Sequence, residues 1–168
     1  MDAKFKRRQL MAEPLADGVI ETIRQAGELY HRLVILAAPA GAGKTAILRD
    51  VHSRTAAPLI NVNLELSRRM LDLAERRRAP QLPRLLAEIV YAFEAAVILL
   101  DNFELLFDVS LKQDPLRLLQ GLSRNTTIVA AWSGSTDDEH LVYATPDHPE
   151  YKRYPLRGLL IVKPEAVG

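Results

Sequence analysis

The 168-residue chain has no cysteine. Disulfides, thiolate metal sites and a cysteine nucleophile are therefore excluded, and the composition fits a reducing cytoplasm. Long apolar runs are also missing, and the longest are far too short to span a bilayer. The N-terminus, MDAKFKRRQLMAEP, carries basic residues with no apolar stretch behind them, so it is not a secretory signal. No repeat, low-complexity tract or Gly/Ser-rich linker interrupts the chain. Charge of one sign is lacking too, since 22 Lys and Arg stand against 21 Asp and Glu, a net charge of +1. A dedicated nucleic-acid binder ordinarily shows a larger basic excess or a clear stripe. Two local clusters exist, Lys4/Lys6/Arg7/Arg8 and Arg76/Arg77/Arg78, and both read as solvated surface. Met11 is an alternative start, which would remove the first of them.

What is present is ordinary globular material. Hydrophobic residues make up 48% and charged residues 26%, enough for one domain with a core of its own. The expectation is a flexible extension over 1–14 and a single domain over 15–168.

The apolar pattern predicts a helix over about 15–31, with Leu15, Val19, Ile23 and Tyr30 near one face. Leu33-Val34-Ile35-Leu36-Ala37 is a short continuous apolar run, as in a strand buried on both faces. A loop with Pro39, Gly41 and Gly43 follows, then a helix carrying Ile47, Leu48 and Val51. Leu59–Asn63 reads as a second strand. After Pro80, the residues Leu82, Leu85, Leu86, Ile89, Val90 and Phe93 recur at helical spacing. Val97–Leu100 is a third strand, ending at Asp101. Asp114-Pro115 looks like a helix cap followed by proline in the first turn, with Leu116, Leu118 and Leu119 buried. Thr127–Ala131 is a fourth strand. A polar, proline-bearing stretch over about 134–156 leads to a fifth at Leu159–Val162. Apolar strands alternating with helices indicate an α/β protein with a mainly parallel five-stranded sheet between helical layers. In such sheets ligands sit beyond the carboxyl ends of the strands.

The segment Ala38-Pro39-Ala40-Gly41-Ala42-Gly43-Lys44-Thr45 stands at such an end and opens a helix. It matches the phosphate-binding loop pattern, with Ala38 in place of the first glycine. Phosphate oxygens need converging backbone N–H groups, and glycines permit the tight turn and close approach. The helix N-terminus, from Gly43 through Ala46, adds unpaired N–H groups and partial positive charge. Lys44 reaches the β- and γ-phosphates, and the Thr45 hydroxyl is a candidate Mg²⁺ ligand. The expected cofactors are ATP and Mg²⁺.

Val97-Ile98-Leu99-Leu100-Asp101 has the form of the acidic strand that completes such a site, with Asp101 facing Mg²⁺ mainly through its water shell. Many related ATPases place glutamate directly after this aspartate. Here Asn102 stands there, able to position a water but not to take its proton. Glu104 either serves as the base, if the chain turns helical there, or is a structural or solvated carboxylate. Binding is therefore expected with slow hydrolysis. Ser133 or Ser135, after the fourth strand, is a candidate γ-phosphate sensor, or an ordinary loop serine. Trp132 reads as core or partner surface. Asn63 and Glu65 follow the second strand, on the γ-phosphate side. Asp137-Asp138-Glu139-His140 reads as a solvated loop, because consecutive residues rarely converge on one ion. Arg124 and Arg153 are candidates for an arginine donated to a neighbouring subunit.

Three stretches of this sequence, Asn61–Ser67, Leu99–Phe107 and Lys112–Asn125, resemble the BrxF family, small P-loop proteins of type 3 BREX (bacteriophage exclusion) systems. Tyr143–Tyr151 is similar to the C-terminal part of that family, and the resemblance spans roughly 15–163. It implies an AAA+-like, ASCE-type P-loop fold, with Lys44, Thr45 and Asp101 as MgATP ligands. It also implies an antiviral role beside a large ATPase, a methyltransferase and a phosphatase-like protein. The helical lid that follows the fifth strand in full AAA+ proteins is expected to be missing. The second sensor arginine usually found there is expected to be missing, which puts autonomous motor activity in doubt. The leading expectation is a cytoplasmic nucleotide switch. A homo-oligomer and direct DNA contact are left open. The alternatives are a small nucleotide kinase or phosphotransferase, or a non-catalytic scaffold with a vestigial loop.

Overall fold

The computed structural model describes residues 3–164, with side chains from Pro14 onward. Helix α1 (Ala3–Ala26) precedes strand β1 (Leu33–Ala38), α2 (Lys44–Thr55), β2 (Leu59–Asn61), α3 (Val62–Met70) and α4 (Glu75–Tyr91). Strand β3 (Val97–Asp101) leads through two 3-10 turns, Glu104–Phe107 and Val109–Leu111, to α5 (Pro115–Leu122) and β4 (Thr127–Ser133). Three short strands, β5 (Ser135–Thr136), β6 (His140–Tyr143) and β7 (Lys152–Pro155), come before β8 (Leu160–Val162).

Five strands form one sheet in the order β2-β3-β4-β1-β8, and every neighbouring pair is parallel. Alternation along the strands divides their side chains between two cores. Leu33, Ile35, Ile98, Leu100, Ile128, Ala130 and Trp132 face α3, α4 and α5. Val34, Leu36, Leu99, Val129 and Ala131 face α1 and α2, where Val19, Ile47, Leu48 and Val51 meet them. The molecule is thus a layered α/β structure with a five-stranded parallel sheet.

Several boundaries differ from the sequence expectation. Helix α1 begins at Ala3, twelve residues before the expected start, and ends at Ala26. Tyr30 therefore lies outside it, 67% exposed, with the Arg124 guanidinium 4.9 Å from its ring centroid. Strand β2 stops at Asn61 rather than Asn63, because the Asn61 side chain accepts from the Leu64 amide and caps α3. Helix α4 starts at Glu75 and carries both Pro80 and Pro83 inside it. A proline deprives the carbonyl four residues earlier of its donor. For Pro83 that carbonyl is Ala79, and the Gln113 amide donates to it at 2.8 Å. Phe93 lies past the end of α4 and is half exposed. Helix α5 forms as expected, with Asp114 accepting from Arg117 and Pro115 in the first turn; Leu118 is only partly buried.

The stretch 134–156 is not an irregular loop. It forms a three-stranded antiparallel sheet, β5-β6-β7. This sheet closes over Trp132, whose indole N–H donates to the Val142 carbonyl at 3.1 Å. Phe107 stacks on Tyr143 at 3.5 Å between centroids, and Tyr154 meets Trp132 edge-on. Gly134 begins the turn into β5; a Cβ there would lie 2.1 Å from the Val142 carbonyl oxygen.

Candidate functional site

The strand order sets the site. Strands β1 and β3 flank β4, so the loop after β1, the acid ending β3 and the serine ending β4 emerge side by side at the carboxyl edge. Register fixes their level, pairing Ala38 with Ser133 and Asn61 with Asp101.

The loop of residues 39–43 turns through two left-handed glycines, Gly41 at φ 80° and Gly43 at φ 94°. Such angles suit glycine and strain other residues. Pro39, Ala40, Gly41 and Ala42 are exposed, so the turn is open on its outer side. Gly43 caps α2, whose first-turn N–H groups point toward the loop and lack partners within the helix.

Lys44 is only 6% exposed. Its ammonium donates to the Ala38 and Pro39 carbonyls, each at 2.8 Å. Burial lowers its pKa from the ordinary lysine value, and the nearby Asp101 and Glu104 carboxylates partly offset this. Thr45, one residue on, donates its hydroxyl to Asp101 Oδ2 at 2.7 Å across 56 residues of sequence. Asp101 is 6% exposed, and its other oxygen accepts the Asn102 amide at 3.0 Å. The two elements that carry the predicted phosphate and metal ligands therefore touch.

Asn102 sits at φ 51°, a conformation that asparagine tolerates better than most residues. Its carbonyl accepts the Asn63 amide at 2.7 Å. This bend leads straight into the 3-10 turn that starts at Glu104. The Glu104 carboxylate is held at both oxygens: Ser133 donates to one at 2.8 Å and the Asn63 side-chain amide to the other at 3.1 Å. The Asn63 side-chain oxygen accepts the Leu105 amide at 2.9 Å, locking the asparagine in turn.

Asn63 was expected near this edge from its position after the second strand, with no partner assigned. Its interaction with Glu104 spans 41 residues, and no local pattern carries such a pairing. Other candidates stand apart. Ser135 lies in β5, paired with Val142. Glu65 pairs with Arg68 at 3.5 Å on α3. Arg124 precedes β4, at the opposite edge of the sheet. Arg153 lies in β7, 4.0 Å from Asp137. Asp137 caps its own turn, accepting the Glu139 and His140 amides.

Among the described residues, no three His, Cys, Asp or Glu side chains gather into a metal cage. Magnesium held on a nucleotide needs only one or two protein oxygens beside phosphate and water. A threonine hydroxyl beside a buried carboxylate fits that donor set. Among the described residues, no helix is long and apolar enough to cross a membrane. Searches of protein-family models, curated proteins and solved structures find no match to this chain.

Proposed function

We propose that this chain is a P-loop protein of AAA+-like, ASCE type that binds MgATP at the carboxyl edge of its sheet and hydrolyses it slowly. The observation that carries the reading is the 2.7 Å hydrogen bond between Thr45 and Asp101. It joins the glycine loop to the acidic strand end across an intervening strand, an arrangement that a loop serving only as a turn does not need.

Each residue then has a task. The open turn and the amides of α2 receive phosphate oxygens. Lys44, which holds two loop carbonyls, turns its charge toward the β- and γ-phosphates. Thr45 and Asp101 hold magnesium, directly and through water. Magnesium, when bound, neutralises charge developing on the phosphate oxygens. Asn102 orients a water but takes no proton. Glu104, two residues on, is the carboxylate assigned that task, and Ser133 and Asn63 restrain it. Turnover waits on the loosening of that restraint, so the isolated chain is slow.

The ATP and ADP forms bind partners unequally, which makes the chain a switch. Its setting, a cytoplasmic antiphage complex of the BREX kind with a large ATPase, a methyltransferase and a phosphatase-like protein, rests on the sequence resemblance alone.

Thermal unfolding with increasing MgATP tests the binding. A ligand at 100 times its Kd stabilises a fold by about 2.7 kcal/mol, so the wild type is expected to melt several degrees higher. Lys44→Ala is expected to show no such rise. A wild type that melts at the same temperature at every nucleotide concentration would return the chain to the scaffold alternative.

A further inference from the structure

The corner where α3 meets α4 concentrates positive charge that the nucleotide site does not use. Residues 68–78 carry Arg68, Arg69, Arg76, Arg77 and Arg78 against only Asp72 and Glu75. The whole chain is nearly neutral, so this segment is more basic than the protein as a whole. The connection is tight: Leu73 donates to the Met70 carbonyl and Arg77 to the Ala74 carbonyl. Both helices are anchored from beneath, by Leu66 and Met70 on α3 and by Leu82, Leu85 and Leu86 on α4. The arginines are thereby held on a rigid corner and not on a loose loop.

Internal neutralisation is sparse. Arg68 pairs with Glu65 at 3.5 Å. Among the described residues, Arg69, Arg76, Arg77 and Arg78 have no ion-pair partner. Arg69, Arg76 and Arg77 are exposed, while Arg78 is partly buried and its Nε–H has no hydrogen-bond acceptor. Arg76 and Arg77 also stand in the first turn of α4, where the helix macrodipole disfavours cations. A solvated face of similar composition would gain helix stability by placing these charges at the other end.

We propose that the α3–α4 corner binds the phosphate backbone of duplex DNA. Guanidinium groups make paired hydrogen bonds to phosphate oxygens. Duplex DNA presents a negative charge every ~1.7 Å of its axis, so several arginines find partners without a fixed register. No exposed aromatic stands in residues 68–78, which disfavours a base-stacking groove for single strands. Contact is to the backbone and carries no sequence preference. The corner lies at the far end of α3 from Asn63, about 10 Å along the helix axis, so the proposal does not depend on the nucleotide reading.

Fluorescence anisotropy with a labelled duplex, in the absence of nucleotide, tests this on the full chain. Four unpaired arginines predict a salt slope near −3.6, and so an affinity loss of about 100-fold between 50 and 200 mM salt. R76E/R77E is expected to abolish binding at the lower salt, whereas R76K/R77K retains it. Circular dichroism and melting of both variants establish that they fold. Failure of the wild type to bind duplex at low salt overturns the proposal. So does binding by R76E/R77E with unchanged affinity and slope. Displacement of DNA by poly-glutamate at equal charge concentration would assign the corner to an acidic protein instead and would equally overturn it.

Discussion

At the residue scale, Lys44 allows binding to be separated from folding. Both carbonyls it holds have a second donor: Gly134 donates to Ala38 at 3.1 Å and Ala42 donates to Pro39 at 3.2 Å. Lys44→Met therefore strands no buried acceptor and removes a charge that burial disfavours. Its stability in urea is expected to lie within about 1 kcal/mol of the wild type, while nucleotide binding is lost. The lowered pKa of Lys44 gives a pH signature. Between that lowered value and the ordinary 10.5, the unfolded chain binds the extra proton, so wild-type stability rises with pH. Lys44→Met lacks this rise, and urea midpoints of the two proteins across the alkaline range would reveal it. Glu104→Gln tests the chemical role assigned to the carboxylate. It keeps the side chain's size but cannot take a proton, so kcat should fall by about 10²–10⁴-fold with ATP affinity retained. An unchanged turnover number would make Glu104 a purely structural partner of Ser133 and Asn63.

At the element scale, two contacts hold pieces that local sequence preferences do not explain. Gln113 satisfies the Ala79 carbonyl that Pro83 leaves open in α4. Gln113→Ala should cost about 1–3 kcal/mol, measured by urea unfolding; no loss would mean that water replaces the amide at no cost. Gly134→Ala should be more damaging, because its Cβ would overlap the Val142 carbonyl and crowd the Trp132 ring. A loss of about 1–3 kcal/mol or more is expected, accompanied by altered tryptophan fluorescence as β5 and β6 separate. These elements also mark where the sequence could and could not be read. The five parallel strands were legible because each contains a short apolar run, unbroken in the fully buried Leu33–Ala38 and closed by a polar residue in β2, β3 and β4. The glycine loop and Asp101 were legible because their chemistry is local. Helix α3 was hidden behind the strand-like run at 59–63, since only the capping bond of Asn61 ends β2. The small sheet was hidden because β5 has two residues and β6 and β7 four each. Its stability comes from aromatic packing on Trp132 and Phe107, which sequence spacing does not reveal.

At the scale of the whole molecule, the strand order does what no single motif does. Placing β4 between β1 and β3 brings Ala38, Ser133 and Asp101 to one edge, so that loop, sensor candidate and acid stand side by side. The clamp of Asn63 and Ser133 on Glu104 joins β2–α3, β3 and β4 at the same edge. On the proposed reading, a nucleotide that displaced the Thr45–Asp101 bond would act where these three elements meet. The most direct measurement of the central claim is calorimetric titration of ATP into the wild type, Lys44→Met and Thr45→Val, with magnesium and with EDTA. One site is expected in the wild type, and it should tighten when magnesium is present. Thr45→Val should lose that tightening, and Lys44→Met should bind at least tenfold more weakly. Equal affinity in all three proteins, or no heat with any of them, would contradict it.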